Sequence, residues 1–109
     1  MPTKITVIYD NPSDPAAFEA GYAGNGNEAE GQVALAKKLP GLTRIETSKV
    51  WPKEDGSATP AYRLVDLYFA DYDTASAAVA TPEAAALFPS IFGLATGGVR
   101  IVFADIEES

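Results

Sequence analysis

Residues 32–50, QVALAKKLPGLTRIETSKV, decide the fold. An alanine-rich amphipathic segment runs to Leu39 and meets Pro40-Gly41. Beyond Leu42 the pattern changes to a two-residue rhythm. Helical spacing, a proline-glycine stop and strand alternation in succession predict a helix, a hard turn and a strand.

The chain on either side completes the pattern. Residues 4–9, KITVIY, are β-branched and aromatic and predict a first strand. Asp10-Asn11-Pro12-Ser13-Asp14-Pro15 ends it, with Ser13 or Asp14 placed to cap a helix and Pro15 suited to its first turn. Phe18 and Tyr22 lie four apart on one face of that helix. The glycines and asparagines of residues 24–31, GNGNEAEG, predict a loop or bulge inserted in the crossover, with the helix resuming over 30–39. A second strand follows over 43–51, a polar loop over 52–60 and a third strand over 61–70, AYRLVDLYFA. A helix over 74–80 precedes a second short one, which Thr81 caps and Pro82 opens. Gly97-Gly98 lead into a fourth strand over 99–104. The order β-α-β-β-α-β in a single domain of 109 residues predicts an α+β, ferredoxin-like fold, with a four-stranded antiparallel sheet and helices on one face.

Helices on one face leave the other open. Alternation puts Val65, Leu67 and Phe69 on one side of the third strand, and Leu64, Asp66 and Tyr68 on the other. Val99, Ile101 and Phe103 oppose Arg100 and Val102, while Ile5, Val7 and Tyr9 oppose Thr6 and Ile8. The first sets of the third and fourth strands are read as helix-facing core. The mixed apolar and polar second face predicts an interface or a ligand cavity. The expectation is a homodimer packed sheet to sheet, with a pocket between each open face and its neighbouring loops.

Composition narrows the chemistry. A net charge of −7, spread along the chain, disfavours nucleic acid and anionic membranes as partners. Lys37-Lys38 read as compensation of a helix C-terminus. With no cysteine and no histidine, thiolate nucleophiles, imidazole bases and Cys or His metal sites are excluded. Acid–base chemistry falls to carboxylates, tyrosines or lysines. Met1-Pro2-Thr3-Lys4-Ile5 enters a strand with no apolar signal region, and no run approaches the length of a membrane helix, so a cytoplasmic location is the expectation.

Asp66 lies mid-strand among apolar neighbours, where a charge is costly unless it is paired or wetted by a cavity. It reads either as an ion-pair partner of Arg100 or Arg63, or as an acid–base group. Tyr68 shares its face and is the second catalytic candidate. Tyr9, Tyr22, Tyr62 and Trp51 are core and interface material, or the lining of a site for a planar or phenolic ligand. Gln32 is helix surface or a pocket hydrogen-bonder, and Arg100 is an ion-pair partner or a substrate contact. The 24–31 loop lacks the Gly-Lys-Ser/Thr ending of a phosphate loop. Glu28, Glu30 and Asn27 read as solvated loop groups before they read as a cation site.

Several words, in order, resemble the EthD-like family: Tyr9-Asp10-Asn11-Pro12, Phe18 and Tyr22, residues 35–42 as LAKKLPGL, Asp55-Gly56, Leu67-Tyr68-Phe69, Thr81-Pro82-Glu83 and residues 95–99 as ATGGV. The resemblance implies a dimeric α+β barrel. That superfamily includes cofactor-free monooxygenases, polyketide cyclases, muconolactone isomerases and haem-using enzymes. Relatives commonly carry His-x-Pro-Leu just before the KLPGL junction. Here Gln32 stands at the histidine position and Ala34 at the proline. Glutamine hydrogen-bonds but does not exchange protons near neutral pH, so neither histidine-dependent activity nor haem ligation carries over and no cofactor is expected. The resemblance implies a small hydrophobic ligand, aromatic or polyketide-like. It would be handled by cofactor-free oxygenase, cyclase or isomerase chemistry, with Asp66 as acid or base and Tyr68 and Gln32 orienting a carbonyl or phenol. The alternative is a non-catalytic metabolite-binding or accessory module.

Overall fold

A computed structural model describes residues 1–24, 31–57 and 59–107. The elements are β1 (Thr3–Tyr9), α1 (Pro15–Ala23), α2 (Gln32–Ala36), β2 (Leu42–Lys49), β3 (Arg63–Phe69), α3 (Tyr72–Ala78), α4 (Pro82–Leu94) and β4 (Val99–Asp105). They form a four-stranded antiparallel sheet in the order β2-β3-β1-β4. This is the ferredoxin-like α+β arrangement predicted from the alternation of patterns.

The caps form as the sequence requires. The Asp14 carboxylate accepts from Ala17 N at 3.2 Å, with Pro15 in the first turn of α1. Asp71 accepts from Thr74 N at 2.8 Å to start α3, and Thr81 accepts from Ala84 N at 3.3 Å to start α4. Gly24 ends α1 at φ 88°. Residues 25–30 lie outside the described residues, and with them the readings placed on Asn27, Glu28 and Glu30.

Two helices differ in length from expectation. The crossover helix spans only Gln32–Ala36. After it, Lys38 N and Leu39 N reach back three residues, to Leu35 O at 3.2 Å and Ala36 O at 3.0 Å. Pro40 disfavours helical backbone at Leu39, so the last turn tightens instead of extending. Conversely, α4 runs thirteen residues and continues through Pro89. Its buried positions Ala84, Leu87 and Ile91 carry helical spacing across the proline. Burial of that face outweighs the hydrogen bond that proline removes.

The core is one layer between sheet and helices. Ile5, Val7, Tyr9, Val65, Leu67 and Phe69 supply the sheet side. Phe18, Ala36, Leu39, Ala75, Ala78, Leu87 and Ile91 meet them from the helices and the turn after α2. Each large apolar side chain so buried contributes about 1.5–3 kcal/mol. On β4, Val99, Ile101 and Phe103 take the expected face but are less covered, because β4 is an edge strand. Phe103 remains 40% exposed and leans on Tyr72, ring centroids 5.9 Å apart. No single helix among the described residues is long and apolar enough to cross a membrane.

Candidate functional site

A small cavity lies between the sheet and the helices, toward the β2 side. Val7, Val65, Leu67 and Ile45 form its floor. Tyr22, Gln32, Val33 and Ala36 cover it, and Leu87 and Ile91 close one wall. Its volume is about 10 Å³, room for roughly one water. Among the described residues, the polar side chains in this lining are Tyr22 and Gln32.

Gln32 is 4% exposed, although it opens a helix. Its amide joins three elements. The Tyr9 hydroxyl donates to Gln32 Oε1, and Gln32 Nε2 donates to Ser90 Oγ at 3.1 Å. Tyr9 is fully buried on β1, and Ser90 lies on α4 beside Ile91. A buried phenol satisfies its hydrogen only by donating, and Gln32 is the acceptor found among the described residues. That fixes the amide with its oxygen toward Tyr9 and its nitrogen toward Ser90. Burial raises the Tyr9 phenol far above its usual range, so it keeps this proton.

Around Tyr9 the rings interlock. Phe18 meets Tyr9 edge-on at 5.0 Å, Tyr62 edge-on at 5.2 Å and Tyr22 stacked at 6.0 Å. A charged cluster borders them. Glu19 accepts from Tyr62 Oη at 2.6 Å and pairs with Arg63 at 3.3 Å and Lys49 at 3.8 Å. The Tyr62 hydrogen bond, with help from Arg63 and Lys49, holds the Glu19 carboxyl below its ordinary range. The Arg63 guanidinium lies 4.3 Å from the Tyr22 ring centre, a cation–π contact. Tyr22 Oη and Arg63 Nε are buried and make no hydrogen bond of good geometry among the described residues, although Thr47 and Arg63 adjoin the Tyr22 hydroxyl. Burial raises the Tyr22 phenol, and Arg63 opposes that rise.

The structure divides the sequence-predicted residues between two faces. Tyr9, Tyr22, Tyr62 and Gln32 come together on the helix side. Asp66 and Tyr68 lie on the open face, where Asp66 stands opposite Thr6 and Glu46, and Tyr68 opposite Lys4 and Arg44. Asp66 accepts from Thr6 Oγ1 at 2.5 Å and pairs with Lys4 at 3.7 Å, which corrects both expected partners. Arg63, three residues from Asp66, points to the opposite face. Arg100 stands opposite Ile8, one row away, and binds Asp10 and the Pro60 carbonyl, each at 3.1 Å. Tyr68 donates to Glu46, which raises its phenol above the usual range. Trp51 is 86% exposed, beyond the end of β2 and away from the cavity. The enclosed cavity lies on the helix side rather than on the open face as expected. The open face of one chain is covered by no helix, whereas α2 and α4 arch over the other face.

Glu19, Arg63 and Ser90 were not singled out for this site. Parity gives a signal for Arg63, which alternates with Val65 and Leu67 and so shares their helix-facing side. Ser90 carries the weaker signal of helical spacing with Leu87, three residues before it.

The fold defines a class, the ferredoxin-like α+β proteins. An EthD-family protein from Bacillus halodurans superposes with a TM-score of 0.84 at 20% identity, covering 98% of this chain and 100% of that one. A dimeric ferredoxin-like protein of unknown function from Jannaschia gives 0.69 at 17% identity over 97% and 100% of the two chains. SnoaB, a cofactor-independent oxygenase from Streptomyces nogalater, compared in a mutant form, gives 0.61 at 16% over 99% and 94%. No family model matches the chain. In sequence, it is 33% identical over 104 residues to an uncharacterized 11.0 kDa protein from the thcB–thcC intergenic region of Rhodococcus erythropolis, covering 95% of this chain and 94% of the relative. The chain belongs to the same family as that Rhodococcus protein.

Proposed function

We propose that this protein binds a small, mostly apolar metabolite in the helix-side cavity, and that it does so as a homodimer joined through the open sheet face. The observation that carries the reading is the buried Tyr9–Gln32–Ser90 chain at the edge of an apolar void. Pockets for small ligands combine apolar walls with a few fixed polar groups. A ligand larger than one water enters by displacing α2, a five-residue helix, together with Tyr22.

The dimer draws on the uncovered sheet face, with Ile8, Leu64 and Val102 among its residues, and on the dimeric state of a similar structure. In that assembly Asp66 and Tyr68 face the second chain, and a catalytic role for them requires a ligand held between the two sheets.

For chemistry, the likeness in fold to a cofactor-independent oxygenase supports cofactor-free oxygenation, cyclisation or isomerisation of an electron-rich substrate. The second reading, a non-catalytic binding module, is favoured by the lining itself. Among the described residues it includes no carboxylate, and Glu19 is committed to Tyr62 and Arg63. Titration with phenol, followed by amide NMR, tests the location. Shifts centred on Tyr22, Val33, Ala36 and Ile91 support the cavity. Shifts confined to Asp66 and Tyr68 move the site to the open face. Oxygen uptake with an electron-rich phenol in chelator-treated buffer separates oxygenase from binder.

A further inference from the structure

We propose that the cleft beyond the end of β2 is a separate binding site, for a planar aromatic ligand that carries a carboxylate. Trp51 stacks on the ring and Lys49 meets the anion. The site lies outside the helix-side cavity and is independent of it.

Two concavities meet there. One, of about 320 Å³, is lined by Lys49, Val50, Trp51 and Pro52. The other, of about 270 Å³, shares Lys49, Val50 and Pro52 with it and adds Asn11, Ser57 and Tyr62. Each has room for one aromatic ring, at the lower end of ordinary small-molecule pockets. Bonds between distant parts of the chain fix the walls. Val50 N donates to Tyr62 O at 3.1 Å and Tyr62 N to Tyr9 O at 2.6 Å. Asn11 Nδ2 donates to Thr59 O at 2.8 Å, and Arg100 to Pro60 O at 3.1 Å. The ends of β1 and β4 thus hold the β2–β3 loop in shape.

Trp51 is 86% exposed. Other exposed rings lean on an aromatic neighbour: Tyr72 on Phe103 at 5.9 Å, and Phe92 on Phe88 at 6.4 Å. Trp51 has no such neighbour among the described residues. Its bare indole in a concavity is a stacking surface for a second ring.

Lys49 gives the site its sign. Among the described residues it is the one charged side chain lining either concavity. Its ammonium lies 3.8 Å from Glu19, which Arg63 at 3.3 Å already balances. One positive charge is left over, in a chain whose net charge is −7. Of the loop's acids, Asp55 accepts from Ser57 N at 2.9 Å and Oγ at 2.6 Å, and neither it nor Glu54 lines the cleft. A ligand carboxylate gains a charge-assisted hydrogen bond from Lys49.

The test uses three probes of one skeleton: phenylacetate, phenethyl alcohol and phenethylamine. Trp51 is the chain's single tryptophan, so its emission, excited where the probes are transparent, reports binding. Amide NMR places it. Phenylacetate is expected to bind about three- to fivefold more tightly than the alcohol, as a partly exposed charge contact implies. Shifts are expected at Lys49, Trp51 and Tyr62, and the amine is expected to bind most weakly. Lys49→Met brings acid and alcohol to within about twofold, and Lys49→Arg keeps the preference. Added salt shrinks it. Trp51→Ala, followed by NMR, weakens all three probes. An amine that binds as tightly as the acid, which cation–π attraction to a bare indole alone would produce, overturns the anion assignment. Phenylacetate affinity unchanged in Trp51→Ala, or shifts confined to Val33, Ala36 and Ile91, overturns the site; the latter pattern at the same time supports the helix-side cavity.

Discussion

Tyr9, at the end of the inner strand β1, gives its buried phenolic hydrogen to Gln32 at the start of α2. The two residues are 23 apart in sequence. This contact ties the short crossover helix to the floor of the core, and Ser90 extends it to α4. Buried amides and phenols are destabilising when unpaired and are tolerated here because each satisfies the other.

Breaking either side of this contact has a predictable cost. Tyr9→Phe leaves Gln32 Oε1 without its donor, and Gln32→Leu leaves the Tyr9 hydroxyl without an acceptor. Each is expected to destabilise the fold by about 1–3 kcal/mol, which corresponds to a fall of roughly 4–8 °C per kcal/mol in Tm. The double variant is expected to lose about 1 kcal/mol less than the sum of the two. Urea unfolding of the four proteins measures the cycle, and strict additivity contradicts the coupling.

The KLPGL turn depends on its glycine. Gly41 has φ +82°, and a Cβ there would overlap Thr74 Cγ2 on α3. Gly41→Ala combines left-handed strain with overpacking and is expected to cost about 1–3 kcal/mol. A second substitution, Thr74→Ser, removes the clashing methyl and is expected to recover part of the loss, leaving the backbone strain. Thermal denaturation reads both.

Glu19 makes stability depend on pH. Its folded carboxyl is held below the ordinary value of 4.5, chiefly by the Tyr62 hydrogen bond. The unfolded chain thus takes up the proton first as pH falls. The contribution of Glu19 is fully present above about pH 4.5 and is lost as pH drops through the folded value. The stability difference between wild type and Glu19→Gln is therefore expected to be constant near neutral pH and to shrink as the pH falls below the ordinary carboxyl value of 4.5. Chemical unfolding across this range measures it, and a difference independent of pH rules out the assignment.

The open face gives a prediction about assembly. Leu64 stands opposite Ile8 and Ser48 on that face, away from the helix-side core. Light scattering is expected to report twice the chain mass of 11.4 kDa for the wild type. Leu64→Asp is expected to shift the species toward the single-chain mass while the far-ultraviolet circular dichroism is unchanged. A wild-type chain that runs at 11.4 kDa at micromolar concentration contradicts the sheet-to-sheet dimer.

Local signals in the chain sufficed for the architecture. The helix-stop-strand of residues 32–50, the Asp14 and Thr81 caps and the alternation in residues 61–70 all rest on interactions between near neighbours. The same alternation predicted correctly which strand residues face the helices. The length of α4 was less legible, because packing of Ala84, Leu87 and Ile91 carries the helix past Pro89.

The candidate site was legible only in part. Gln32 stood out by its place before the KLPGL junction, and Tyr9, Tyr22 and Tyr62 stood out as aromatics. Their grouping with Ser90, Glu19 and Arg63 depends on how α1, α2 and α4 cross the sheet, and no local pattern encodes those crossings. Asp66 drew attention as a charge among apolar neighbours, yet its face is the uncovered one, where Lys4 and Thr6 satisfy it.

The sequence by itself determined the order of elements, the faces of the strands and the absence of histidine and cysteine chemistry, because spacing, caps and composition act locally. Tertiary structure alone decided that Gln32 is buried and held with its nitrogen toward Ser90. Three elements far apart in the chain supply its surroundings, and burial makes their hydrogen bonds obligatory.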